Sequence, residues 1–158
     1  MIAAVSKIIV AGLGIVCVTA AASAQDALVD ATQPERILAV ARGFGSAELE
    51  KDKSGDPRIS GRIDGARYSV FFYGCKDGTN CRTIQFHNSF ETRKKPTLAA
   101  INAYNQKNRF GKVYTDKDGD PALEFDVNLD GGASPKLLDD TFDWWKVILA
   151  NFRKSFSN

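Results

Sequence analysis

His87 is the only histidine in the 158-residue chain, and Ser89 lies two residues after it. A zinc protease site needs at least two imidazoles, so a single histidine excludes that class of enzyme. A serine hydrolase would need a serine within reach of His87 and an acid behind it, but the chain lacks the G-x-S-x-G pattern. We therefore interpret His87 as a surface or partly packed residue at a hairpin end and assign no catalytic residue.

Glu124 and Asp126 are the carboxylates best placed for chemistry, because they lie on one polar face of a predicted strand. Paired carboxylates of this kind can serve acid–base catalysis or ligand binding. A small hydrolase or ligand-binding enzyme that uses them is therefore the alternative to a non-catalytic binding function.

Two acidic turns are similar to calcium-binding loops. Residues 126–131 begin as D-x-N-x-D-G, but the twelfth position is Leu137, where a calcium loop requires a bidentate glutamate. The second turn, 116–120, is followed by Pro121 where that loop needs glycine. Because aspartate and glycine also favour ordinary hairpin turns, we predict no metal or other cofactor, and weak calcium binding by these turns stays open.

Cys75 and Cys81 enclose the polar, glycine-containing run 76–80, between two strand-like segments. Cys17, the third cysteine, belongs to an N-terminal apolar run that is expected to be removed. An even number of cysteines in an exported chain favours a disulfide. A redox or metal pair is the alternative, but the spacing is not Cys-x-x-Cys and no second pair completes a zinc site. The sequence therefore predicts a structural Cys75–Cys81 disulfide.

Periodicity and turn residues predict an α+β domain, with an antiparallel β-sheet flanked by about three helices. Thr32 and Glu35 suggest a capping box at the first helix, and Ser134 with Pro135 suggests the start of the last one. The predicted helices span 34–42, 97–108 and 135–156, and the predicted strands span 47–52, 58–63, 68–73, 82–86, 112–115 and 121–129.

Trp144 and Trp145 lie in the last predicted helix, where adjacent residues point about 100° apart. The apolar spacing of this helix places Trp145 in the core. Trp144 falls at the edge of the apolar stripe, so it can line a groove or a dimer contact.

The N-terminus has the three parts of a secretory signal peptide: Lys7, the apolar run 8–18 and the small residues 22–24. The apolar run would reach only about 16 Å as a helix, against a hydrocarbon core of roughly 30 Å. We predict a signal peptide over 1–24, a mobile arm over 25–31 and one domain over 32–156. The mature protein is then periplasmic or secreted, with no transmembrane span.

Net charge is only +2, which gives no global field for binding nucleic acid. Charge is nevertheless divided along the chain. Six basic residues and no acid lie between Glu91 and Asp116, whereas the segment from Asp116 to Asp143, both included, holds nine acids and two lysines. This division predicts a basic surface near the second helix and an acidic one after it. The alternative is two solvated faces whose opposite charges cancel in the sheet.

Two segments carry a family resemblance: the hairpin 68–86 and the block 101–132, with Asn105, Arg109, Phe110 and Gly111 before an Asp-Gly-Asp turn. Together they resemble the YbjN family of bacterial proteins over roughly Pro34 to Arg153. The resemblance implies a fold similar to type III secretion chaperones, which commonly pair into dimers. It also implies a sensory-transduction or stress-response regulator and no particular reaction.

We therefore expect a non-catalytic, exported module that binds a protein partner, with homodimer formation as a second option. No nucleic acid partner is expected. The partner-binding candidates are Arg93, Lys94, Lys95, Asn105, Arg109, Phe110 and Trp144.

Overall fold

The structure of the protein is a computed structural model that describes residues 27–157. The predicted leader and the first two residues of the predicted arm lie outside these residues. Three helices and six strands form the described part: α1 (Pro34–Phe44), β1 (Ser46–Lys51), β2 (Pro57–Ile63), β3 (Ala66–Tyr73), β4 (Thr83–Ser89), α2 (Leu98–Lys107), β5 (Lys112–Thr115), β6 (Pro121–Asn128) and α3 (Pro135–Phe156).

The six strands form one antiparallel sheet in the order β1-β2-β3-β4-β6-β5. This confirms the predicted α+β class with a helix-flanked antiparallel sheet. The likeness to type III secretion chaperones stays a prediction.

Strand alternation divides the sheet into a covered face and an open face. Along β3, Tyr68, Val70 and Phe72 are buried, while the residues between them are half-buried or exposed. On the covered face, the Phe86 ring lies 4.9 Å from Phe142 and 5.2 Å from Trp145, both on α3. The core therefore lies between the sheet and α3, and α1 and α2 extend it through aromatic contacts with α3.

The two predicted helix starts have different outcomes. Ser134 caps α3 as predicted, because its hydroxyl accepts a hydrogen bond from the Leu137 amide. The capping box at Thr32 is wrong, since the α1 cap is Gln33, which makes no side-chain capping bond. Thr32 instead donates from its amide and its hydroxyl to the carboxylate of Asp30, which uses the side chain in the preceding turn.

The described end of the predicted arm is packed against the domain. Val29 and Ala31 are buried, and the backbone of Val29 exchanges two hydrogen bonds with Ala133. The Arg36 guanidinium also donates to the carbonyl groups of Ala27 and Leu28. The packed domain therefore begins before residue 32. The local sequence does not reveal this, because the bridge partner of Val29 lies in a distant loop.

The hairpin between β3 and β4 contains the predicted disulfide, which joins Cys75 and Cys81. Asp77 and Gly78 have φ values of 52° and 71°, as a two-residue type I′ turn requires. A Cβ on Gly78 would lie 2.8 Å from the Gly55 carbonyl oxygen. The tip of the hairpin therefore contacts the β1–β2 turn, and the disulfide closes the base of that tip.

Candidate functional site

Helix α3 carries a second, exposed row of apolar residues besides the one in the core. Trp145 is fully buried, as predicted, whereas Trp144 is 41% exposed. Leu137 and Val147 lie three to seven residues from Trp144 and are 55% and 48% exposed. This spacing places the three exposed residues along one side of the helix. Adjoining exposed apolar residues are typical of contact surfaces, so the row is a candidate contact surface.

Phe110 extends this row beyond the helix. Its ring lies 4.8 Å from Trp144 and 6.0 Å from Phe125, and it is 40% exposed. Phe110 has a φ of 55° and Gly111 has a φ of 75°, both in the left-handed region. This backbone conformation costs free energy for a bulky residue, so Phe110 keeps it only because the turn holds it there. The turn thereby fixes the position of the Phe110 ring.

Arg109 lies against the Phe110 ring of this aromatic pair. Its guanidinium carbon is 5.0 Å from the centre of the Phe110 ring, which is cation–π distance. The structure therefore brings together three of the predicted partner-binding residues. Arg109 contacts Phe110, and Phe110 contacts Trp144.

A groove of about 560 Å³ runs along α3 beside Trp144. Val147 and Ala150 provide apolar lining, and Asp140 and Asp143 provide carboxylates. Across the groove, Asp64 of the β2–β3 turn is 3.5 Å from Lys146, so that lysine is already paired. We call the surface formed by Phe110, Leu137, Asp140, Asp143, Trp144 and Val147 the aromatic–acidic surface.

Asn105 uses its side chain inside the domain. Its amide nitrogen donates to the Val113 carbonyl group, and its amide oxygen accepts from the Val113 amide. Val113 lies on β5, the last strand at one edge of the sheet. The side chain thus occupies backbone groups that an edge strand would otherwise offer to another strand. Sequence reasoning assigned Asn105 to partner binding and missed this structural role.

The three cations of the β4–α2 loop form a separate group. Lys95 lies 2.6 Å from the Asp120 carboxylate, which also accepts hydrogen bonds from the amide and hydroxyl of Thr92. The lysine and the Thr92 donors lower the pKa of Asp120. Among the described residues, no ion pair, hydrogen bond or aromatic contact joins Arg93, Lys94 or Lys95 to the Phe110–Trp144 pair.

Glu124 and Asp126, the carboxylates proposed for an enzyme, lie with His87 on the open face of the sheet. Ser69, His87 and Glu124 are directly opposite one another on β3, β4 and β6. From the sequence, we considered only Ser89, which is near His87 along the chain. The strand order that places Ser69 and Glu124 on either side of His87 cannot be read from adjacent residues. His87 is the last residue of β4 that pairs with β3, so its predicted position at a hairpin end and its partial packing are both confirmed, while β4 itself continues to Ser89 through its pairing with β6.

The serine, histidine and glutamate are not connected as a catalytic triad. No hydrogen bond in the described structure joins Ser69 to His87 or His87 to Glu124, and Glu124 instead bonds Lys112 at 2.7 Å and the Tyr114 hydroxyl at 2.7 Å. Partial burial opposes ionisation of Glu124, but these two bonds outweigh it and lower the pKa of the carboxyl. A carboxylate held in this way is an anchored anion rather than a free base.

The family model for YbjN, described as "Putative bacterial sensory transduction regulator", matches residues 33–158. The chain belongs to the YbjN family. The match covers every described helix and strand, and the family description names a regulator rather than an enzyme. Among curated proteins, none matches the chain.

The acidic turn 116–120 of this YbjN protein is built by hairpin hydrogen bonds. One carboxylate oxygen of Asp116 accepts from the amides of Asp118 and Asp120. Within residues 27–157, no group of three or more histidine, cysteine or acidic side chains is arranged to hold a metal ion. In the same range, no helix is both long and apolar enough to cross a membrane.

Proposed function

We propose that this YbjN protein is a non-catalytic regulator that binds a basic, amphipathic segment of another protein. The aromatic–acidic surface is the proposed binding site. The observation that carries the proposal is the row of exposed apolar residues on α3, which lies directly beside the carboxylates of Asp140 and Asp143.

Trp144 and Phe110 are suited to anchor such a segment. Aromatic side chains supply large contact areas at low conformational cost and dominate the energetics of protein interfaces. Their ring contact and the Phe125 support behind Phe110 hold both rings in place before binding. Preorganisation of this kind reduces the entropy lost on association.

The charge of the groove determines the chemistry of the partner. Asp64, Asp140 and Asp143 line it, against a single lysine that is paired with Asp64. Such a surface attracts lysine- or arginine-bearing segments and disfavours acidic ones. We therefore commit to a basic segment with apolar residues on one side, as in an amphipathic helix laid in a groove.

We place this binding in the periplasm or outside the cell. The signal-peptide pattern of residues 1–24 supports export. The Cys75–Cys81 disulfide supports the same compartment, since structural disulfides persist in oxidising spaces.

Photo-crosslinking from the surface itself tests the proposal. A photoreactive amino acid replaces Val147 in one strain of the source bacterium and Lys53, an exposed residue of the β1–β2 turn, in a control strain. We expect one protein to crosslink from position 147 and not from position 53, through a basic segment identified by mass spectrometry. Crosslinks to a second copy of this chain, an equal yield from position 53 or no product would contradict the proposal.

A further inference from the structure

The open face of the sheet contains a hollow of about 460 Å³ that extends across β1, β2, β3 and β4. This volume is in the range of pockets that hold small molecules. The side chains that line it are mostly polar and include Ser60, Arg62, Arg67, Ser69, His87 and Ser89.

Arg62 and Arg67 give the hollow an unusual charge arrangement. They are directly opposite each other on β2 and β3, and both are exposed. Like charges in this position destabilise a sheet. In the described part of the chain, no carboxylate lies within 4.0 Å of either guanidinium, and the one side-chain hydrogen bond of Arg62 goes to the Gly65 carbonyl group.

Other directly opposed charges on the same face are of opposite sign. Glu50 is opposite Arg58 and pairs with it at 2.5 Å, and Lys112 is opposite Glu124 and pairs with it at 2.7 Å. The arginine pair is thus an exception to the arrangement of its own sheet. A bound anion would remove the repulsion, and the planar guanidinium fork matches the geometry of phosphate and carboxylate oxygens.

Neutral hydrogen-bonding groups lie next to the arginine pair. The hydroxyl groups of Ser69 and Ser89 make no hydrogen bond to other described residues, so both can donate to a ligand. His87 is half-buried with its ring 5.9 Å from Phe71, and burial lowers its pKa, although the Glu124 and Asp116 carboxylates oppose the shift. A neutral imidazole can donate or accept one hydrogen bond.

Glu48 is the one carboxylate of the lining and lies on β1, at the outer side of the hollow. It lies opposite Ser60 and beyond ion-pair distance of both arginines. A ligand would therefore direct its anionic group to the arginine pair and a hydrogen-bond donor to Glu48.

We propose that this hollow binds the oxyanion group, a phosphate or a carboxylate, of a small molecule. Arg62 and Arg67 hold the anion, and Ser69, Ser89 and His87 complete its hydrogen bonds. The site is on the face of the sheet opposite α3, so it is independent of the proposed protein-binding surface.

His87 provides a built-in reporter, because the chain has one histidine and the folded protein gives one set of imidazole signals. The full mature protein is titrated with inorganic phosphate and, separately, with citrate, at fixed pH and ionic strength. We expect a saturable shift of the His87 signals with at least one probe. Phosphate alone would assign a phosphate ligand, and citrate alone a carboxylate ligand.

Arg67→Gln is the test variant and Arg62→Gln the second, with Arg93→Gln as the matched control outside the hollow. We expect affinity to fall at least tenfold in the two test variants and to stay unchanged in the control. Removal of one like charge leaves their thermal midpoints equal to that of the wild type or higher, which checks folding. The absence of a saturable shift with both probes, or equal affinity in all four proteins, would overturn the proposal.

Discussion

Trp144 and Trp145 are adjacent residues with opposite roles. Trp145 is fully buried between the sheet and α3, whereas Trp144 is 41% exposed. We predict that Trp145→Ala lowers the free energy of unfolding by about 3–5 kcal/mol, because it leaves a large cavity. Trp144→Ala should cost less than about 1 kcal/mol. Urea denaturation of both variants checks this, and similar losses in the two would contradict the assignment.

The Tyr68 hydroxyl is buried and has no hydrogen-bond partner in the described structure. Burial raises the pKa of Tyr68 to about 12. An unpaired buried hydroxyl is destabilising, so Tyr68→Phe should leave the free energy of unfolding unchanged or raise it by up to about 1 kcal/mol. A thermal midpoint clearly below that of the wild type would show that the hydroxyl has a partner.

His87 should make stability depend on pH in mildly acidic solution. Burial holds its pKa below the ordinary value of 6.5, while Glu124 and Asp116 oppose that shift. Between the two pKa values the unfolded chain binds more protons than the folded one, so stability falls as pH drops below about 6.5. Denaturation midpoints of the wild type should fall between pH 6.5 and 5, and His87→Gln should show a smaller fall. Parallel pH profiles would contradict the account.

Sequence inspection was most successful for residues whose roles depend on local chemistry. The cysteine pair, the Ser134 cap and the core position of Trp145 all follow from spacing over a few neighbouring residues of the chain. The structural role of Asn105 was missed because its partner, Val113, lies on the next element, and the distance between the two is set by tertiary packing. The opposed Arg62 and Arg67 were not singled out because their significance depends on the charges of other strand pairs.

At the level of elements, Asn105 protects the β5 edge of the sheet. We predict that Asn105→Ala lowers the free energy of unfolding by about 1–2 kcal/mol, since it removes two hydrogen bonds and exposes strand groups. Amide exchange of Val113 should accelerate. Asn102→Ala is the matched control, because Asn102 is also an exposed asparagine of α2 and its side chain makes no hydrogen bond to another described residue. Equal exchange rates in the two variants would refute this role.

All nine predicted helices and strands are present, and the differences are at their ends. β4 extends three residues past its predicted end, because residues 87–89 pair with β6. The bridge between Val29 and Ala133 likewise packs the described end of the segment that was predicted as a mobile arm. Both differences arise from partners far away in the sequence, which local propensity does not encode.

Over the whole molecule, the predicted division of charge is only partly retained. Lys95 pairs with Asp120 and Lys112 pairs with Glu124, so two basic residues of the second-helix region neutralise acids of the last hairpin. The acids of α3 take no part in these pairs. Asp140 and Asp143 therefore remain to give the aromatic–acidic surface its charge, and the proposed partner is basic for that reason.

The two proposed sites lie on opposite sides of the sheet and involve different chemistry. The aromatic–acidic surface favours a cationic, apolar segment, and the arginine hollow favours a small anion. A regulator with this arrangement can bind a protein on its helical side while its open sheet face stays accessible.

The affinity for the purified crosslinked partner tests the central claim most directly. Isothermal titration calorimetry would compare the wild type with Trp144→Ala, Asp143→Lys and the control Lys53→Ala. The account predicts that the first two variants weaken Kd at least tenfold, that Lys53→Ala does not, and that added salt weakens wild-type binding. Equal Kd values for all four proteins would show that the partner does not bind at the aromatic–acidic surface.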